Sequence, residues 1–277
     1  RNMTGATAVC VPSEPLGLAT AHKMWGRKKW RDLVQPAIKH AEEGLVVDWY
    51  TMTNIASTLA DLRKDPGASK RFLRDGLPPQ PPVATLASGV VRLPAPDLAK
   101  TLAAIADDGV EPFYKGRLAK DIAADIKAMG GSLGAEDLAS YEVKVIEDPL
   151  QVTLGERQVY VLPELNGGPT LGMAALELQR IRKKPQDKPG AKTFVAYAAA
   201  LKHAWEYRMA HMGEAGEKTM PTCTTHFSIV DRDGNMVTLT QTLLSLFGSR
   251  IVLPKTGILM NNGINWFDPT GGPNGIA

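Results

Sequence analysis

The stretch "PTCTTHFSIVDRDGNMVTLTQTL", residues 221–243, decides how this chain is read. Apolar and polar residues alternate on either side of "DRDG", which predicts an antiparallel β-hairpin. Its register hangs on the turn. If Arg232-Asp233-Gly234 forms a three-residue loop with Gly234 in the left-handed conformation, Asp231 faces Asn235. Counting back from that pair, Thr224 faces Thr242, with both side chains on one face of the sheet. A two-residue Asp-Gly turn instead sets Thr224 opposite Leu243 and separates the two hydroxyls. Threonine also suits strands for purely structural reasons. Pattern alone therefore leaves two readings open, a structural hairpin and a hairpin that carries a nucleophile.

Working outward, the chain after Thr224 stays β-like as far as "GILMN" (257–261), whereas the chain before it alternates helical and extended patterns. Apolar residues at three- and four-residue spacing predict helices over 15–26, 28–44, 48–66, 96–107, 115–129, 170–183 and 192–213. Gly44, Pro66 and the Gly130-Gly131 pair are read as stops, and "DGLPPQPP" (75–82) as a loop. Strands are predicted at 141–146, 150–154 and 157–163. Helices leading into a compact β stretch imply an α/β fold with strands layered between helices.

A chain of 277 residues with 44% hydrophobic content buries a large core, as one large or two medium domains. Its 32 basic and 29 acidic residues nearly balance. "RKKWR" (27–31) is the only dense basic run and reads as a solvated helix start, so no nucleic-acid partner is expected. Cys10 and Cys223 lack CxxC or Cys/His spacing, and neither a disulfide framework, a metal site nor a cofactor is signalled. No apolar run approaches the roughly 18 residues of a membrane span. Opening on Arg1 and stopping inside "GGPNGIA", the sequence reads as a fragment lacking both ends, which leaves the compartment open.

Several chemistries are not written here. Gly130, Gly131 and Gly134, and likewise Gly167, Gly168 and Gly172, miss the GxGxxG spacing of a dinucleotide site. "KTG" (255–257) has no accompanying SxxK or SDN, and the five histidines form no HExxH. His226 and Asp231 are read as structural.

"CTTHFSIVDRDGNMVTLTQTL" followed by "FGSRIVLPKTGILMNNGINWFDP" resembles the start of the small subunit in the γ-glutamyltransferase (γ-glutamyltranspeptidase) family of N-terminal-nucleophile hydrolases. "VPSEPLGLATAHKMWGRKKWRDLVQPAIKHAEEGLVVD" and "LPELNGGPTLGMAALEL" are similar to that family's large subunit. The resemblance implies an αββα sandwich, here partial, and a precursor that cuts itself between Cys223 and Thr224. Residues 1–223 would then belong to the large subunit and 224–277 to the small one, the two remaining associated. Thr224 is implied as the nucleophile and Thr242 as the threonine that orients it. Substrates would be small γ-glutamyl compounds or other amides, with water or an amine as acceptor. Relatives are often exported, which implies a periplasmic or secreted location beside a cytoplasmic one. Asn261 and Asn262 match the family's Asn pair and are read as shaping a turn.

Three positions depart from the family pattern. Where well-studied bacterial transpeptidases hold the substrate's α-amino group with Asn, Gln and Asp, this chain has Leu244, Gly263 and Trp266. A leucine and a tryptophan cannot pair an ammonium group. The substitution pattern resembles the acylase-like side of the family, which works on amides with other acyl groups. The family's carboxylate-binding arginine is expected before Arg1, and its Ser-Ser and Gly-Gly sites after Ala277. An oxyanion donor is worth about 2.7–4 kcal/mol, so the segment alone is expected to be inactive. A noncatalytic member used for binding, and an unrelated α/β binding domain, are the competing readings.

Overall fold

Prolines open four helices of the chain. Pro15, Pro66, Pro96 and Pro112 each sit in a first turn, where a missing N–H breaks no intrahelical bond. In a computed structural model, residues 3–81, 89–164, 166–182, 188–211 and 222–267 are described. Their helices are α1 (Glu14–Trp25), α2 (Trp30–Glu43), α3 (Trp49–Ser57), α4 (Leu59–Leu62), α5 (Pro66–Phe72), α6 (Pro96–Asp108), α7 (Glu111–Lys115), α8 (Arg117–Ala128), α9 (Ala135–Ser140), α10 (Gly167–Ile181) and α11 (Ala191–His211). The strands are β1 (Leu45–Val46), β2 (Arg92–Leu93), β3 (Leu150–Leu154), β4 (Arg157–Val161), β5 (Thr222–Val230) and β6 (Met236–Ser245). They pair as three antiparallel two-stranded sheets, β1 with β2, β3 with β4 and β5 with β6, so the chain is mixed helix and sheet.

Four elements differ from the sequence reading. The helix expected over 48–66 is broken after Ser57, and Pro66 starts α5 instead of ending its predecessor. Asp65 supplies the reason: its carboxylate accepts from the Ala68 N–H at 2.6 Å, an N-cap that a residue before proline can adopt because its backbone is extended. Residues 141–146 form no strand, since β propensity is realised only against a partner and none pairs with them among the described residues. "GILMN" makes a single bridge, Val252 to Leu259, rather than a ladder. Finally, α9 forms where no helix was expected, its first turn closed by the Asp137 carboxylate on the Gly134 N–H at 2.7 Å.

Two compact units divide the chain, residues 1–143 with 220–265, and residues 144–219 with 266–277. In the first, the main core joins Phe113, Leu118, Ile122 and Ile126 to Ile251, Leu253 and Met260 from beyond the hairpin. Leu253 and Met260 are fully buried, each contributing about 1.5–3 kcal/mol. Polar ties fix the same late segment. Asp65 also accepts from Val252 N–H at 3.1 Å, Asp125 accepts from Lys255 N–H at 2.9 Å, and Thr101 donates to the Thr256 carbonyl at 2.8 Å. Gly257 has φ +68°, and a Cβ there would lie 2.4 Å from the Leu98 nitrogen, so this turn demands glycine.

The second unit is a helix pair on a hairpin. Asn166 caps α10 by accepting from Gly168 N–H at 2.7 Å, and Arg208 of α11 donates to the Asn166 carbonyl at 2.8 Å and to Thr170 Oγ1 at 3.1 Å. The small buried stripe Ala196, Ala200 and Ala204 runs along α11, which packs on α10. Val152 and Val161 turn the inner face of the β3–β4 hairpin into this unit's core.

Candidate active site

Turn chemistry sets the geometry of the β5–β6 hairpin. Asp231 N–H donates to the Asn235 carbonyl at 3.0 Å, and Gly234 N–H donates to the Asp231 carbonyl at 3.1 Å. Gly234 takes φ +83°, which closes a three-residue loop and not a two-residue one. The Asp231 carboxylate accepts from the Asn235 side chain at 2.8 Å, from Asn235 N–H at 2.8 Å and from Asp233 N–H at 2.9 Å. These bonds, the Asn235 side chain first, hold its pKa below the ordinary carboxylate value. Asp231 thus serves the turn, as its position implied.

From that turn the ladder runs Val230 to Met236, Ser228 to Thr238, His226 to Thr240 and Thr224 to Thr242. The pairing is the one the three-residue loop requires. Thr224 Oγ1 donates to Thr242 Oγ1 at 3.2 Å, and both residues are exposed. Next along the same face, His226 Nδ1 lies 2.7 Å from Thr240 Oγ1, and its Nε2 is 3.4 Å from Ser228 Oγ. His226 is held by neighbouring hydroxyls.

The ladder then slips. Between Cys223 and Thr224 the register shifts, so that Cys223 faces Leu244 and Thr222 faces Ser245. Leu243 becomes the extra residue of a β-bulge opposite the Cys223–Thr224 peptide. The bulge puts Leu244 at φ +78°, a region leucine rarely visits. In that conformation the Leu244 N–H reaches back to Thr242 Oγ1 at 2.9 Å. Thr242 therefore accepts from a backbone N–H and from the Thr224 hydroxyl, and its orientation is fixed from two sides.

Asn262 braces the bulge. It is fully buried, donates its backbone N–H to the Leu243 carbonyl at 3.1 Å and accepts from Ser245 N–H at 3.0 Å. Its Nδ2 donates to Ser245 Oγ at 2.8 Å and to the Met3 carbonyl at 3.0 Å. Asn261 plays the parallel part toward Cys10, accepting from its N–H at 3.0 Å and donating to its carbonyl at 2.9 Å. Burial pushes the pKa of the free Cys10 thiol up.

Of the remaining predicted positions, Leu244 is 6% exposed and lies in the bulge itself. Gly263 begins a short 3-10 helix, Gly263–Trp266, with its N–H on Asn261 Oδ1 at 2.9 Å. A Cβ on Gly263 would lie 2.9 Å from Cys10 Sγ, so the backbone approaches the thiol closely. Trp266 is 59% exposed and belongs to the second unit. Sequence reading missed the bracing role of Asn262 and the Leu244 N–H. The adjacent asparagines after an apolar run were the available signal. Among the described residues no group of His, Cys, Asp and Glu is arranged to hold a metal ion.

Arranged so, the hairpin offers one hydroxyl donating to another near the N-terminal end of a strand, with a bulge of the facing strand opposite the preceding peptide. The family model for gamma-glutamyltranspeptidase matches residues 1–223 and 208–277. Glutathione hydrolase 2 of Arabidopsis thaliana is 30% identical over 96% of this chain and 51% of its own length. Cephalosporin acylase from Bacillus halodurans superposes with a TM-score of 0.74 at 27% identity, covering 99% of this chain and 55% of that one. The Helicobacter pylori gamma-glutamyltranspeptidase superposes with a TM-score of 0.67 at 27% identity, over 76% of this chain and 59% of that one. The chain spans about half the length of the curated relatives it matches. With model matches running from its first residue to its last, the chain belongs to the gamma-glutamyltranspeptidase family.

Proposed function

We propose that the protein to which this chain belongs is a self-processing amide acyltransferase or hydrolase of the γ-glutamyltransferase and glutathione hydrolase type. The observation that carries the proposal is the 3.2 Å contact between Thr224 and Thr242 beside the Cys223–Thr224 peptide, which faces the Leu243 bulge. In the precursor, Thr224 Oγ attacks the Cys223 carbonyl carbon, the Thr224 amide nitrogen takes up a proton and leaves, and an ester joins the two residues. Water hydrolyses that ester to a carboxylate on Cys223 and restores the Thr224 hydroxyl, beside the α-amine that the shift has freed. Residues 1–223 and 224–277 then belong to two chains. The core shared by Ile122, Ile126, Leu253 and Met260 supports their remaining together.

After the cut, the α-amine of Thr224 acts as base for its own hydroxyl, its unperturbed pKa of about 7.7–8.0 lying near neutral pH. The acyl group of an amide substrate passes to Thr224 Oγ and the amine departs with a proton. Water or a second amine then takes the acyl group. Thr242 orients the attacking oxygen. An αββα sandwich is the fold proposed for the whole protein.

A second reading concerns the substrate. Leu244, Gly263 and Trp266 replace residues that would hold an α-ammonium group, and the likeness to a cephalosporin acylase runs over 99% of this chain. Both favour an acyl donor lacking that charge, such as a glutaryl amide, with the three residues as pocket candidates.

Denaturing electrophoresis of the full-length protein with N-terminal sequencing of the smaller band tests the first reading. A band beginning at Thr224, absent from Thr224→Ala, is expected. A single uncut wild-type chain overturns it. Turnover of a glutaryl amide against a γ-glutamyl anilide tests the second, and preference for the anilide overturns it.

A further inference from the structure

The bulge places Leu244 in a conformation that an isolated leucine avoids, and the Leu243–Leu244 peptide leading into it turns its N–H to Thr242 Oγ1. Something must hold it. Leu243 and Ser245, the residues on either side, are both bonded to one fully buried residue, Asn262. Its backbone N–H fixes the Leu243 carbonyl at 3.1 Å, its Oδ1 takes the Ser245 N–H at 3.0 Å, and its Nδ2 divides between Ser245 Oγ and the Met3 carbonyl. The side chain's acceptor and donor are both engaged, with no solvent to replace a lost partner, so removing it leaves buried polar groups unsatisfied.

We propose that Asn262 is a positioning residue for self-cleavage and acyl transfer: by clamping Leu243 and Ser245 it holds Leu244 left-handed, so that the Leu244 N–H aims Thr242 at Thr224. The proposal rests on the threonine reading above. The order of contacts runs from Asn262 to the bulge, from the Leu244 N–H to Thr242 Oγ1 at 2.9 Å, and from there to Thr224 Oγ1 at 3.2 Å. Without the clamp, Leu244 relaxes toward an extended backbone, the chain on either side of it shifts, and the Leu243–Leu244 peptide turns its N–H away from Thr242. Thr242 then loses one of the two donors that fix it. Asn262 touches neither the reacting atoms nor the scissile peptide, so its loss is read first in self-cleavage, a step that involves no substrate.

Three variants of the full-length protein test this, with self-cleavage followed by the appearance of the small chain and turnover measured on the cleaved enzyme. Asn262→Ala is expected to slow self-cleavage about 10- to 100-fold and to lower kcat similarly. Leu244→Ile keeps the side-chain volume but opposes the left-handed backbone because it is β-branched, so it slows cleavage without touching the clamp. Adding Leu244→Gly to Asn262→Ala restores much of the cleavage rate, since glycine adopts that conformation unaided. A merely structural asparagine predicts no such rescue. Asn262→Ala or Leu244→Ile cleaving at the wild-type rate, or absence of rescue in a folded double variant, overturns the clamp. If Asn262→Ala does not fold, Leu244→Ile decides alone. A wild-type protein that stays uncut overturns the threonine reading and this one with it, an outcome distinct from equal cleavage in wild type and variant.

Discussion

The described residues hold a hairpin of five-residue strands and one of nine- and ten-residue strands, and they are built to opposite ends. In β3–β4 the ladder is unbroken from Leu150–Val161 to Leu154–Arg157, and Gly155 at φ +64° turns it in two residues. Val152 and Val161 point inward, and every feature of that hairpin serves packing. In β5–β6 the ladder is regular from its turn as far as Thr224–Thr242 and slips at the Cys223–Thr224 peptide. The difference teaches that regular pairing is cheap and local, whereas an irregularity such as the Leu244 bulge persists only where surrounding residues hold it.

Four perturbations can break or sharpen that contrast. The largest effect is expected at the irregular end. Thr242→Val keeps the shape and removes the hydroxyl that receives Thr224, so self-cleavage of the full-length protein should slow about 100-fold. Thr238→Val, on the same face but beside the turn, should leave the rate within about twofold. Equal losses at both positions would mean the face matters only as a β surface.

Val152→Ala removes two buried methyl groups from the regular hairpin and should cost about 2 kcal/mol in chemical denaturation of its unit, with self-cleavage unchanged. A matching drop in cleavage rate would contradict the division of labour. Smaller still, Gly234→Ala forces alanine into φ +83° and should cost about 1–2 kcal/mol, read as faster amide exchange in β5 and β6. Gly155→Ala should cost about as much in its own hairpin without touching cleavage.

The smallest effect is one of pH. The Asn235 side chain and backbone amides depress the Asp231 pKa, so the folded turn resists the proton that the unfolded chain accepts near pH 3.9. Its extra stability is present above that value and is lost as pH falls through the lower folded pKa. An acid titration of the Asn235 amide resonance should therefore have its midpoint below about 3.9. A midpoint at or above it would break the assignment.

How much could be read from the sequence follows the same division. Gly234 in "DRDGN" admits a three-residue loop or a two-residue turn, and once the loop has three residues Thr224 must meet Thr242. Local chemistry with a two-fold period propagates along a ladder without further information. The bulge was not legible, because leucine in no way announces φ +78° and the residues that enforce it, Met3 and Asn262, lie far away in sequence. Pro66 misled for a related reason. Proline is compatible with both a helix end and a first turn, and Asp65, bonded at once to Ala68 and Val252, selects the second. "YEVKVI" had the composition of a strand, but an edge to pair with is a property of the fold and not of six residues.

Ile251, Leu253 and Met260 are buried among residues that precede them by more than a hundred positions. A break at the Cys223–Thr224 bond would thus turn an intramolecular core into an intermolecular one without moving an atom of it. Thermal unfolding of the uncut chain is a first-order equilibrium, blind to dilution. That of the cut protein releases two molecules, so its Tm should climb with protein concentration by mass action while that of Thr224→Ala stays level.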